Sequence, residues 1–359
     1  MSEVDSEVRT GEAAQDGPER AGSSGLILAA AALLWMAAML RSAWATITGQ
    51  DDVAMEVTST AYAMPGAVSA SLVAGAAVAL AVRAFLTRGG RDPGATVRSI
   101  LTTGAGLGIG LLGALPIFMI NVEGWIYAVV AGTIAAAATI GGALASFRHT
   151  RVVAAAGAGA IAAFLVGVLL AFVQDDLLPA LGAGNTAASQ ASAAGNFSLV
   201  QGVLGGLAAG LVAYRVLRRA RRRSGTELKW PLYTLAGAGP GLLLVIAEIL
   251  TRTAGARVLE LAGKVSELEL TVQRMLSGSR LNVGLIVLFV GAFTAMVAVG
   301  RSMGTPNSAD PAGAAAPDSD AAAEPLDPAS TSPKPASIGT DAAPVGMDPD
   351  EIERRARAD

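Results

Sequence analysis

The sequence predicts an all-α, polytopic membrane protein with eight transmembrane helices. Three observations carry that prediction. The 359 residues are 52% hydrophobic and only 15% charged, whereas a soluble domain carries about 25% charged residues. The apolar residues fall into long runs, each near the ~20 residues that a helix needs to cross hydrocarbon. In the first six connections the basic residues are confined to alternate loops, as the orientation rule for Lys and Arg requires. The chain has no cysteine and a single histidine, His149, which excludes disulfides, thiolate metal sites and multi-histidine sites. The net charge of −3 says little, because the charges are sorted by side of the membrane. The excess of arginine over lysine, with abundant alanine and glycine, is the composition expected of a GC-rich bacterial genome.

Residues 1–24 are polar and acidic with no apolar period, and are expected to be disordered and cytoplasmic. The first span is 25–48. Ala43-Trp44-Ala45 resembles a signal-peptidase site, but the region before the apolar run is acidic where a signal peptide is basic, so an uncleaved anchor is expected. Arg41 is expected to extend its stem to the interface. The remaining spans are 62–82, 100–120, 125–147, 152–173, 198–217, 231–250 and 281–300. In domain terms, residues 25–173 hold spans one to five. Residues 174–250 hold spans six and seven with a basic loop at 215–229. Residues 251–280 form an extracytoplasmic amphipathic segment, 281–301 hold the last span, and 302–359 form a disordered cytoplasmic tail rich in Ala, Pro, Asp and Ser.

Orientation follows from the loops. Arg83, Arg88, Arg91 and Arg98 lie between spans two and three, and Arg148 and Arg151 between four and five. The loop between six and seven holds seven bases, among them Arg218, Arg219, Arg221, Arg222 and Arg223. The intervening loops hold only acids: Asp51, Asp52 and Glu56, then Glu123, then Asp175 and Asp176. Both termini are therefore expected in the cytoplasm of a cell-membrane protein. The segment 251–280 dissents, with five bases in a loop assigned to the outside.

Short motifs recur in order. Gln50-Asp51-Asp52 is matched by Gln174-Asp175-Asp176, Ser71-Leu72-Val73 by Ser198-Leu199-Val200, and the glycine run 104–108 by 237–241, at similar separations along the chain. The order is consistent with two parallel four-helix repeats, related by an axis along the membrane normal.

Several residues stand out. The run Gly237-Ala238-Gly239-Pro240-Gly241 is expected to kink or break span seven, since Pro240 lacks an amide hydrogen and clashes with the preceding turn. Broken helices line transporter sites. Glu248, two turns on, is an intramembrane acid and hence a binding candidate; the alternative is an interfacial ion pair with Arg252 at i+4. Gln201 in span six and Asn121 after span three read as interhelical or helix-end hydrogen bonders, with Gln201 the third candidate binding residue. Asp51, Asp52, Asp175 and Asp176 could collect cations at an outer mouth, or merely fill polar loop positions. Arg218, Arg219, Arg221, Arg222 and Arg223 suit anionic lipid headgroups as well as topology signalling. No aromatic interleaves them, so nucleic acid is not an expected partner.

Residues 254–277 carry a heptad seam, with Val258, Val265 and Val272 at one position and Leu261, Leu268 and Met275 at the other. The seam fits a two-stranded coil that would make a homodimer, or an amphipathic helix lying on the membrane. A helix continuous with span seven is expected there. No metal site, cofactor or catalytic constellation is expected, so the chain does not read as an enzyme. Two functions stand. The repeat, Pro240 and Glu248 favour a permease for a small solute, ion or lipid. The alternative is a non-transporting membrane scaffold or assembly factor that self-associates through 254–277. The expected partners are the lipid bilayer and a second copy.

Overall fold

The computed structural model describes residues 19–49, 53–88, 94–122, 124–224, 229–254, 256 and 267–303. Among these residues there are nine α-helices and no strand. They are α1 (Glu19–Thr48), α2 (Val53–Arg88), α3 (Ala95–Phe118), α4 (Trp125–Leu144), α5 (Thr150–Phe172), the short α6 (Gln174–Ala180), α7 (Ala187–Ser224), α8 (Trp230–Ala254) and α9 (Glu267–Met303). Eight of them, all but α6, are long and apolar enough to span a bilayer. The chain is a multi-pass α-helical membrane protein. Successive spans alternate in direction, so among the described residues Glu56, Asp175, Asp176 and Glu248 lie towards one end of the bundle, here called the acidic end, and Arg83, Arg148, Arg151 and Arg218 towards the other, the basic end.

Several helices outrun the hydropathy-based ranges. α2 and α7 span 53–88 and 187–224 rather than 62–82 and 198–217. Hydropathy registers only the stretch suited to hydrocarbon, whereas charged residues in the flanking turns continue a helix without difficulty. Residues 174–180, expected in a loop, form α6, with exposed Asp175 and Asp176 in its first turn. Gly182, at φ 99°, reverses the chain after α6, and the N–H of Ala183 donates to the carbonyl of Leu178. Asn121 caps the turn before α4 by accepting the N–H of Gly124 at 3.1 Å.

α8 does not break at Pro240: the helix continues through it, the proline ring packs against Gly159 of α5, and the flanking glycines let neighbouring backbones close in on the helix. Nor is 254–277 a helix continuous with span seven. α8 is described as far as Ala254, and Ser277 in α9 lies beside Glu248 of α8. A continuous rod would place residue 277 roughly 40 Å from residue 248 at 1.5 Å per residue. From Glu267 the segment is the beginning of the last helix, ahead of the span that starts at Met275, with Leu268 in the first turn, Val272 half-buried and Met275 exposed. Val258, Leu261 and Val265 lie outside the described residues, as do Asp51, Asp52 and residues 1–18 and 304–359; residues 19–24, expected to be disordered, form the first turns of α1, and 302–303 the end of α9.

The packing pattern occurs twice. In the first half α2 packs on α1, α3 and α4, and α3 packs on α4. In the second half α7 packs on α5, α8 and α9, and α8 packs on α9. Neither α1 with α4 nor α5 with α9 forms a packed pair. The closest approaches also correspond. A methyl group on Gly106 or Gly110 would strike α4 at Ala138 and Gly142 or at Ala135; on Gly237 or Gly241 it would strike α9 at Gly291 and Ala295 or at Leu288. Gly106 and Gly110 of α3 thus match Gly237 and Gly241 of α8 at one constant offset. Ala135, Ala138 and Gly142 of α4 match Leu288, Gly291 and Ala295 of α9 at another. Gly75 of α2 meets Ala138 as Gly210 of α7 meets Gly291, which sets the register between α2 and α7.

These equivalences correct the motif alignment. Gly104 and Gly108, matched by identity to Gly237 and Gly241, face open space. The true counterparts are Gly106 and Gly110, because a glycine at every second position matches in either register. The Ser-Leu-Val match is also out of register: Ser71 corresponds to Gly206, which lies about two helical turns beyond Ser198.

The halves meet in one apolar core. Buried Met64, Val68 and Leu72 of α2 share a cluster with Ala156 and Ala160 of α5 and with Leu243 and Ala247 of α8. Trp35 of α1 stacks on Phe164 of α5 at 4.5 Å between ring centroids.

Candidate functional site

At the acidic end, the last turn but one of α8 carries Glu248, whose side chain is only 4% exposed. Its spacing of four from Arg252 puts both on one helix face, and the Nε of Arg252 donates to Oε1 at 3.1 Å. The hairpin brings α9 back alongside. Arg280 donates from Nε to Oε2 at 3.1 Å, the hydroxyl of Ser277 donates to Oε1, and the Nη2 of Arg252 donates to the carbonyl of Ser277 at 2.8 Å. Both carboxylate oxygens are thus engaged by charge-assisted bonds, the strong class of hydrogen bond. Glu248 is a structural clamp between α8 and α9. The interfacial pairing with Arg252 anticipated from spacing is present; Arg280 and Ser277 carried no local sequence signal.

A second carboxylate bond lies at the same end of the first half. The hydroxyl of Tyr127, near the start of α4, donates to Oε1 of Glu56 in the first turn of α2. Tyr127 is the structural counterpart of Arg280, lying as far before Ala138 as Arg280 lies before Gly291. Each half therefore ties its fourth helix to a neighbouring helix at the acidic end, with different chemistry.

The other candidate residues are dispersed. Pro240 packs on Gly159, and the Gln201 amide lies over Gly167. Asp175 and Asp176 stand exposed on α6, and among the described residues no group of three metal-ligating side chains is assembled.

The basic end holds a cavity of about 120 Å³, lined by Tyr214, Arg218, Arg221 and Arg222 of α7, Tyr233 of α8, and Val299 and Ser302 of α9. Of the five arginines singled out, Arg219 and Arg223 are not part of the lining. The Arg218 guanidinium sits 5.9 Å from the Tyr214 ring centroid, a cation–π arrangement that holds the guanidinium without neutralising it. Tyr214 and Tyr233 form a tilted pair at 6.1 Å that floors the cavity. Among the described residues no acid pairs with Arg218, Arg221 or Arg222. The first half shows what such an arginine does when satisfied within the chain. Arg83 is the counterpart of Arg218, lying as far beyond Gly75 as Arg218 lies beyond Gly210. It donates from Nη1 to the carbonyls of Ala145 and Phe147 just beyond the end of α4, at 3.3 and 3.1 Å. In the second half α9 continues as helix to Met303, so those carbonyls stay within the helix and Arg218 turns to the cavity instead. Tyr214 and Tyr233 were missed in the sequence; the only available signal was the spacing of four between Tyr214 and Arg218.

Comparison of the chain with protein-family models, with curated proteins and with solved structures found no match.

Proposed function

We propose that this protein is a non-transporting membrane scaffold, resident in the cell membrane with both termini in the cytoplasm and with no enzymatic activity of its own. One observation carries the reading: the helix interfaces close backbone on backbone. A methyl group on Gly110 would come within 2.8 Å of the Ala135 Cα, and one on Gly142 within 2.9 Å of the Gly106 Cα. Small-residue contacts of this kind bring helices together as closely as they can approach. The features that favoured a permease support it less in three dimensions, since span seven is unbroken and Glu248 is neutralised by two arginines.

The test uses the natural absence of cysteine. Ala138→Cys and Ala236→Cys place single thiols at positions with no solvent exposure, and Ser189→Cys places one in the first turn of α7 at the acidic end. In intact cells a small, membrane-impermeant, charged methanethiosulfonate is expected to label Ser189→Cys and to leave both core thiols unmodified. Labelling of the core thiols at rates near that of Ser189→Cys would mean a water-filled path and restore the permease reading. Failure to label Ser189→Cys would reverse the orientation.

The arginine cavity favours a compatible second reading, that the cytoplasmic end binds an anionic lipid headgroup. Attraction to an anionic leaflet is worth about 1 kcal/mol per base. Arg218→Gln, Arg221→Gln and Arg222→Gln together should therefore reduce the phosphatidylglycerol retained by purified protein roughly tenfold or more, measured by native mass spectrometry. Unchanged retention would assign the arginines to topology alone.

A further inference from the structure

The interface between the halves is not two-fold symmetric. α2 packs on α5 and α8, and α4 also packs on α8. A two-fold axis would bring α7, the counterpart of α2, against α1 and α3, yet α7 forms no packed pair with either. The first half therefore presents one face, built on α2, and the second half a different face, built on α8. Each half also has a copy of the face that the other uses. Those copies are open.

The residues show this on both sides. On α2 the buried strip is Met64, Val68 and Leu72. In the register set by Gly75 and Gly210, its counterparts on α7 are Leu199, Val203 and Leu207, of which Leu199 is 54% and Leu207 44% exposed. On α8 the strip facing the first half includes buried Leu243 with partly buried Ile246 and Leu250. In the register set by Gly110 and Gly241, its counterparts on α3 and just beyond are Leu112, Leu115 and Met119, exposed by 67%, 52% and 67%. Large apolar side chains that are covered inside the chain in one half are uncovered in the other, at matching positions.

We propose that a second copy of the chain docks on this one by repeating the internal interface, the α3 face of one copy (Leu112, Leu115, Met119) seating on the α7 face of the next (Leu199, Val203, Leu207). The contact is continuous with the interface already present between the halves and differs from it only in joining two chains. It is heterologous, so it leads to a closed ring or an open row rather than a symmetric pair. The repeats are parallel, so each added copy keeps the same orientation in the bilayer. The α6 helix stands over the start of α7, where Asn196 donates to the carbonyl of Leu181 at 3.3 Å, and the next copy seats below it. The inference rests on the scaffold reading and names its partner.

Cross-linking in native membranes tests it with full-length chains. Leu112→Cys and Leu199→Cys are made separately; both side chains point away from the bundle, so neither change disturbs the packing. Membranes containing the two variants together, treated with a short bifunctional maleimide, should give a dimer at least tenfold above either variant alone. The double variant should give a ladder of multimers or one band of fixed size. Dimers from either single variant at the level of the mixture would overturn the proposal in favour of a symmetric contact or random collision. Absence of dimer from the mixture, with both thiols shown to react with a monofunctional maleimide, would overturn it in favour of lipid-covered faces. The scaffold reading is tested separately: if Ala138→Cys stays unlabelled while the mixture fails to cross-link, the scaffold stands and this mode of assembly does not.

Discussion

Replacing Gly141 by alanine is expected to destabilise the protein by about 3 kcal/mol, at the upper end of what overpacking usually costs. Gly141 of α4 lies against α2, and a Cβ there would overlap the carbonyl oxygen of Leu72 and approach the Ala76 nitrogen to 2.9 Å. Those are backbone atoms of a buried helix and cannot rotate aside as a side-chain tip would. The only relief is separation of α2 from α4, which loosens the centre of the core. The same change at Gly104 is expected to have the opposite sign. No atom lies within 4 Å of a Cβ at that position, and alanine is favoured over glycine in a helix by up to about 1 kcal/mol. Reversible unfolding in mixed micelles measures both. Equal effects of the two substitutions would mean that α2 and α4 do not pack as closely as described.

The second large effect is an asymmetry at the Glu248 clamp. Arg252→Met with Arg280→Met is expected to cost about 3–5 kcal/mol, the usual penalty for leaving a buried charge uncompensated. Glu248→Leu is expected to cost much less, about 1 kcal/mol. The reason is exposure: the Glu248 side chain is 4% exposed, but those of Arg252 and Arg280 are 41% and 31% exposed. Deprived of the carboxylate, the arginines can turn their heads to water on their long stems; deprived of the arginines, the carboxylate has nowhere to go. Glu248→Leu added to the double arginine variant should recover most of the lost stability. A larger loss from Glu248→Leu than from the arginine pair would show that the clamp is water-accessible on the carboxylate side.

The parts of this architecture that were legible in the sequence are those that depend on neighbours along the chain. Hydropathy over a span length marks eight crossings because hydrocarbon thickness sets that length. The Glu248–Arg252 pair is legible because a spacing of four fixes it on any helix. Arg280 and Ser277 were not, since only the return of α9 alongside α8 brings them to Glu248. Glu56 and Tyr127 likewise read as ordinary interfacial residues until α2 and α4 are placed side by side. The repeat was visible, but in the wrong register. The glycine strip on α3 has small residues on two faces, and only the contacts show that Gly106 and Gly110 face α4. Pro240 misled for a related reason: its local rule counts the lost hydrogen bond and the strain of the preceding turn, but not the close packing of α5 at Gly159, and helices packed by neighbours in a membrane tolerate proline.

The different fates of Arg83 and Arg218 bear on how the two halves are fastened. In the first half α2 is fastened to its neighbours near both ends, by Glu56–Tyr127 at one and by Arg83 to the carbonyls after α4 at the other. In the second half the Glu248 clamp fastens α8 to α9 at the acidic end, while the Arg218 guanidinium at the opposite end rests on a ring of its own helix. The second helix of the first half is thus held at both ends of the bundle, whereas its counterpart α7 meets α9 through Ser279 and Ser198 at the acidic end and presents Arg218 to the cavity at the other. An anion in that cavity would touch Arg218 of α7, Tyr233 of α8 and Ser302 of α9 together, supplying from outside the chain the cross-helix link that Arg83 makes within the first half.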